Sequence, residues 1–362
     1  MNAAPRLEAL RKRLAEDGGP VALVTQTSNL LYLTGFEDVI DHGINAACVV
    51  SDDIASFYTD SRYIEAATAA AEGTGWDVRL QKENLYVEVC EALQAAGATT
   101  IVMESSVPYG RFKFVSEQFE GAVRVVDQLL EEIRQVKEAE EIERIARAAA
   151  LADRAFDHLL GFIAPGRTEA EIALELEFFM RKNGSVGMPF EPIVASGPNG
   201  ARPHAIPGER PVRDGDLIVL DFGARVGGYC SDMTRTVGVG SVREEERRLY
   251  DAVLEANEAG LAAVRAGMTC FDVDAASRAV LAERGLGDLF THGVGHGVGL
   301  DVHELPTVGP RSKHSLRRGA VITIEPGVYV SGLAGVRIED LVVVEPQGHR
   351  RLTNAPKDLL II

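Results

Sequence analysis

Residues 291–304 read THGVGHGVGLDVHE and hold His292, His296 and His303, three of the chain's eight histidines. Glycines at 293, 295, 297 and 299 separate them. Glycine lets a backbone take positive φ and approach a ligand closely. An imidazole on such a segment can ligate a metal or move a proton near neutral pH. A lone histidine there would read as a satisfied surface residue. Three together point to a site if carboxylates converge on them from elsewhere in the chain.

Four carboxylates have that placement. Residues 216–239, DLIVLDFGARVGGYCSDMTRTVGV, spell a β-rich run, a Gly227-Gly228 hairpin turn and a returning strand. If Val226 pairs with Tyr229, Asp221 lies opposite Thr234 and Asp232 opposite Gly223. Asp221 and Asp232 then share one face as diagonal neighbours, roughly 7–8 Å apart. Further on, AVITIEPGVYV ends an apolar strand with Glu325, stopped by Pro326. In GVRIEDLVVVE, Arg337 and Glu339 share a strand face beside an apolar run. An unpaired charge at the end of such a run is costly. Like charges on one face repel unless a cation bridges them. Asp221, Asp232, Glu325 and Glu339 with one imidazole make an oxygen-rich donor set. That set suits Mn²⁺ or Co²⁺ better than a metal preferring thiolate, and paired ions about 3.5–4 Å apart are a hydrolytic device. Other chemistries lack their signatures: His303-Glu304 is followed by Leu305-Pro306-Thr307, so there is no HExxH, and no GxSxG elbow or Walker loop is present.

The elements that must position these groups fall into two blocks. Residues 1–130 alternate strands at 21–26, 46–51, 55–60, 76–80, 99–104 and 122–127 with helices at 61–72, 85–96 and 110–119. An N-terminal amphipathic helix carries Leu7, Leu10 and Leu14 on one face. This pattern predicts a small α/β domain around a largely buried sheet. A charged helical stripe over 131–156 leads into a second domain, 131–362, with helices at 169–183, 244–265 and 271–284.

Composition bounds the function. The 362 residues suit two domains. The net charge of −17 argues against a nucleic-acid footprint. No apolar run is long enough for a membrane helix, and the N-terminus lacks a signal-peptide core. Cysteines at 48, 90, 230 and 270 form no CxxC pair and read as reduced thiols in a cytoplasm.

The segments LDFGA, CSDMTRT, HGVGHGVGLDVHE, ITIEPGVY and GVRIED, with PHA at His204, together resemble the pita-bread metallopeptidase family of aminopeptidase P, prolidase and methionine aminopeptidase. The resemblance covers 135–362 strongly and 1–130 more loosely. It implies an α/β creatinase-like N-terminal domain and an α+β pita-bread catalytic domain. It implies two divalent ions per chain, Mn²⁺ or Co²⁺ with Zn²⁺ as a third choice. Asp232 and Glu339 would bridge both ions, Asp221 would hold one, and His296 with Glu325 the other. Glu325 would also carry a proton to the leaving nitrogen. His204, His292, His303 and Arg337 match positions that contact substrate or support the ligands. The extra N-terminal domain points to the Xaa-Pro branch, and the intact ligand set argues against creatinase. The activity implied is removal of an N-terminal residue preceding proline, an Xaa-Pro aminopeptidase. The alternatives are a prolidase confined to dipeptides and, less readily, a non-catalytic binding protein on the same fold. Partners would be proline-containing peptides and a second copy of the chain in a homodimer.

Overall fold

The computed structural model describes residues 3–40 and 45–362, which divide into two compact units, Met1–Arg134 and Gln135–Ile362.

The first unit runs α1 (Ala4–Glu16), β1 (Ala22–Val24), α2 (Thr27–Thr34), β2 (Ala46–Val50), β3 (Ala55–Thr59), α3 (Ile64–Ala71), β4 (Asp77–Leu80), α4 (Leu85–Ala95), β5 (Thr100–Glu104), α5 (Tyr109–Gln118), β6 (Ala122–Val126) and α6 (Glu131–Arg134). Its six strands form one sheet in the order β4-β3-β2-β1-β5-β6. Apolar runs become the central strands because both their faces are covered, and every residue of β1 and β2 is buried. The edge strands β4 and β6 are largely exposed, so the sheet is buried at its centre and wet at its margins. Helix α2 was not anticipated. The Gln26 side chain accepts from Asn29 N–H at its start, and Gly35 ends it at φ 72°.

The break at Arg134 follows from contacts. Asn29 Nδ2 donates to Glu131 Oε1 at 2.9 Å, and Arg134 Nη1 donates to Asn29 Oδ1 at 2.8 Å. These bonds tie α6 to the first unit. The stripe expected over 131–156 is therefore two helices, α6 and α7 (Ala139–Phe162). Between them the chain leaves helical geometry: Val136 bridges Ala320, and Lys137 N–H donates to Gly319 O.

The second unit continues with α8 (Glu169–Lys182), β7 (Ile193–Ser196), β8 (Leu217–Phe222), β9 (Arg225–Val226), β10 (Tyr229–Cys230), β11 (Met233–Gly238), α9 (Glu244–Ala263), α10 (Cys270–Glu283), β12 (Gly295–Gly297), β13 (Glu304–Val308), β14 (Val321–Ile324), β15 (Gly327–Val330), β16 (Ala334–Arg337), β17 (Asp340–Glu345) and β18 (Gly348–Arg351). Thr168 caps α8 and Thr269 caps α10, each accepting from a backbone N–H three residues on. Two sheets carry the unit, β11-β8-β7 and β13-β12-β14-β17-β18. One apolar cluster packs α7 and α8 against the first, with Leu151, Phe156, Leu176 and Leu220 at its centre. Another packs α9 and α10 against the second, through Val253, Val273, Ile322 and Val342. Among the described residues, no helix is long and apolar enough to cross a membrane.

The first unit holds one conspicuous buried acid. Glu104 ends β5 fully buried and accepts from Thr25 N–H at 2.6 Å and Gln26 N–H at 2.5 Å. Burial outweighs those donors and pushes its carboxyl up to about 7. The folded state thus binds the proton more tightly than the unfolded chain. Its contribution to stability is complete below about pH 4.5 and is lost as pH rises through about 7. Denaturant titrations across that window should show wild type losing on the order of 3 kcal/mol from this group. Glu104→Gln should flatten the dependence, and identical slopes for the two proteins would contradict the account.

Candidate metal centre

The hairpin register sets the first pair of carboxylates. Tyr229 pairs with Val226, and Thr234 pairs with Asp221, as the turn predicts. The register runs unbroken between these two ladders, because Ser231 N–H donates to Ala224 O at 2.9 Å. Gly223 makes the approach possible: a Cβ there would lie 1.9 Å from Ser231 O. Asp221 and Asp232 therefore reach the same face.

The second pair comes from the other sheet. The β14–β17 ladder ends at Ile324 opposite Asp340. Glu325 and Glu339 follow one step beyond, facing each other by the antiparallel register. Beside β14, on the side away from β17, runs β12 with His296. A Cβ on Gly295 would lie 2.0 Å from Thr323 O, so glycine lets β12 close against β14.

The carboxylates meet around His296. Its Nε2 lies 3.2 Å from Glu325 Oε1 and 3.6 Å from Asp232 Oδ2. Ligand atoms of Asp232, His296 and Glu339 all fall within 4.8 Å of one another. Asp221 is turned toward Arg337, whose Nη2 donates to its Oδ2 at 2.5 Å.

Three observations test whether these residues fit a divalent centre. Asp221 Oδ1, Asp232 Oδ1 and Glu339 Oε1 are buried with no hydrogen-bond partner, so one oxygen of each acid is left for a cation. His296 Nδ1 donates to Gly297 O at 3.0 Å, which directs the Nε2 lone pair at the acids. Burial, with the charges of neighbouring acids, raises the carboxyls of Asp232 and Glu339 well above the usual range. The donor set fits hard or borderline divalent ions.

Hydroxyls and one guanidinium hold the acids in place. Thr234 Oγ1 donates to Glu339 Oε2 at 2.7 Å and accepts from Arg337 Nε at 3.1 Å. Thr323 Oγ1 accepts from His296 N–H at 3.1 Å and donates to Glu325 Oε1 at 3.2 Å. Arg337 also donates to Tyr329 Oη at 2.8 Å and to Pro203 O at 3.3 Å, which brings the His204 segment beside the centre. His204 and His303 are exposed, and the His303 ring centroid lies 4.3 Å from that of His296.

His292 is held by contacts within the protein. Its Nδ1 lies 2.9 Å from Gly293 O and its Nε2 2.9 Å from Tyr329 Oη. Both ring nitrogens are thus engaged within the protein. Tyr329 links His292 to Arg337 and was missed in the sequence, as were Thr234 and Thr323. Their signal was available: each shares a strand face with a ligand or lies opposite one. A buried ion pair was also missed, Lys137 Nζ to Glu304 Oε1 at 2.7 Å. Glu304 directly follows His303, and Lys137 lies far from it in sequence.

Tyr329→Phe deletes one hydroxyl that serves two partners. Denaturant unfolding should show a loss of about 1–3 kcal/mol, the cost of a buried polar group left unpaired. An unchanged midpoint would mean that water or Pro203 O replaces it fully.

Comparison with known proteins comes to the same place. The metallopeptidase family M24 matches residues 143–346, and the creatinase/prolidase N-terminal domain matches residues 6–136. The chain is 34% identical over 355 residues to an Xaa-Pro dipeptidase of Pyrococcus furiosus, covering 98% of this chain and 99% of that one. The solved Xaa-Pro dipeptidase from Bacillus anthracis superposes with a TM-score of 0.95 at 36% identity, covering 100% of both chains. The X-Pro aminopeptidase from Thermotoga maritima gives 0.88 at 33% identity, covering 97% of this chain and 100% of that one. The two-part architecture read from the sequence, a creatinase-like domain followed by a pita-bread catalytic domain, is thus shown. Five would-be ligands gathered in one domain, with that domain's pattern matched across more than half of the chain, make the protein a member of metallopeptidase family M24.

Proposed function

We propose that the protein is a metal-dependent Xaa-Pro dipeptidase. Several relatives named Xaa-Pro dipeptidase or prolidase support this over the aminopeptidase reading placed first from the sequence. The observation that carries it here is a cavity of about 520 Å³ lined by His292, which reaches Asp221 through Tyr329 and Arg337, and by Arg278, Arg311, Lys313 and His314. A dipeptide carries its carboxylate one residue beyond the scissile bond, so its hydrolase needs cations close to the centre. A longer peptide has no charge there. Arg278 is engaged by Asp274. Arg311 and Lys313 are exposed and, among the described residues, unpaired, which suits them to an anionic terminus.

In this reading Asp221, Asp232, His296, Glu325 and Glu339 would hold two divalent ions, with Asp232 and Glu339 shared between them. Bound ions supply an activated water and charge to stabilise the developing oxyanion. The chain does the rest. Glu325 carries a proton to the leaving imino nitrogen. His204 donates to the tetrahedral oxyanion and His303 to the substrate near the scissile bond. Arg337 fixes Asp221 and Tyr329. Mn²⁺ or Co²⁺ as working ions follows from the donor set. A homodimer rests on the resemblance alone, and a cytoplasmic location on the four dispersed free cysteines.

A chelator should abolish peptide hydrolysis, and Mn²⁺ or Co²⁺ should restore it. His296→Ala should bind one ion fewer per chain by metal analysis. Full activity after exhaustive demetallation would end the metallopeptidase reading for this site.

Substrate length separates the two peptidase readings. Xaa-Pro dipeptides should be cleaved with higher kcat/KM than Xaa-Pro-Xaa tripeptides. Arg311→Ala should raise KM for the dipeptide by about 10–100-fold, the worth of a charge-assisted bond, with kcat nearly unchanged. Equal rates on both lengths with an indifferent Arg311 would return the aminopeptidase reading.

A further inference from the structure

The carboxamide of Asn257 bonds to the backbone on both sides of the glutamate pair. Asn257 lies on α9, wholly buried. Its Nδ2 donates to Ile324 O at 2.8 Å and to Ile338 O at 3.2 Å. Those carbonyls belong to the residues immediately before Glu325 and Glu339. One NH₂ group thus spans the two backbones whose separation sets the distance between two carboxylates.

The orientation of that amide is fixed from the other end of the chain. Lys357 Nζ donates to Asn257 Oδ1 at 2.8 Å, so the oxygen must face the ammonium and the nitrogen must face the carbonyls. Lys357 is itself held by Asp340 Oδ2 at 2.8 Å and by Glu258. Tyr250 Oη donates to the Lys357 carbonyl at 2.8 Å. Asp340 is the residue after Glu339, and its Oδ1 takes Arg235 Nη2 at 2.9 Å and Thr353 Oγ1 at 3.0 Å. Arg235 also donates to Glu339 O and to Ala355 O. The C-terminal segment 352–357 therefore closes a buried polar frame behind both glutamates, none of whose members reaches the metal-facing side.

We propose that Asn257, locked by Lys357, is a positioning residue for the divalent centre: it sets the spacing of Glu325 and Glu339 through their preceding carbonyls. The proposal rests on the reading of these glutamates as ligands. Apolar packing holds the strands together but is non-directional. Two hydrogen bonds to one rigid amide are directional, and metal affinity is sensitive to such supports.

The test is calorimetric titration of Mn²⁺ into demetallated full-length protein, with the visible spectrum of the Co²⁺ form as a second readout. Asn257→Asp keeps the volume and the Lys357 partner but removes both donors. It should weaken Mn²⁺ binding by about 10–100-fold and shift the Co²⁺ bands. Leu176→Ala, in the apolar cluster behind the other sheet, should lose stability yet keep wild-type affinity and spectrum. Asn257→Asp binding like wild type would overturn the proposal, as would an equal loss of affinity in Leu176→Ala. Should Asn257→Asp fail to fold, Lys357→Met decides, with weaker binding expected and unchanged binding fatal to the proposal. A wild-type protein that binds no Mn²⁺ would instead overturn the metal-centre reading, and the inference would fall with it.

Discussion

Bringing Asp221, Asp232, Glu325 and Glu339 together out of water is the constraint on which the second unit depends. Buried acids repel one another and lose hydration at the same time. Burial and neighbouring acids raise Asp232 and Glu339, while Glu325 is held below its usual range because contact with His296 and nearby cations outweighs its burial. The protein offsets part of this cost with Arg337, His296 and two threonine hydroxyls. It leaves one oxygen on each of three acids without a partner. A structural ion-pair network would satisfy such atoms. Among the described residues these three oxygens stay free together, which fits a divalent centre.

The rest of the unit keeps that arrangement rigid. Each pair of acids sits at the end of an antiparallel ladder, so hydrogen-bond register sets its spacing. The ladders are pressed from behind by separate apolar clusters, one under each sheet. Arg235 and Asp340, both essentially inaccessible, add a charge pair directly behind Glu339. A buried pair of this kind is weak evidence for stability in itself. Its value here is geometric, since it ties the strand bearing Glu339 to both β11 and the C-terminal segment.

The first unit handles a buried acid in the opposite way. Among the described residues Glu104 Oε2 has no partner, and burial pushes the carboxyl up to about 7. The same residue type is thus raised by burial in one unit and, at Glu325, held low by His296 in the other. The difference lies in the company each keeps.

Much of this was legible in the chain before folding. Element type followed from apolar periodicity and strand–helix alternation. The Asp221–Thr234 register followed from a two-residue turn, because strand pairing next to a tight hairpin leaves no freedom. Four acids on or at the ends of apolar strands, with histidines clustered on a glycine-rich segment, pointed to a site, since charge is costly there without a purpose. What could not be read were contacts between residues far apart in sequence: Lys137 with Glu304, Tyr329 joining His292 to Arg337, Lys357 reaching Asn257. The helical stripe that breaks at 135–138 belongs with these, because a distant strand captures its backbone there. Local patterns encode faces and turns. Which faces meet, and which polar atom answers which, is decided only when distant elements close the same space.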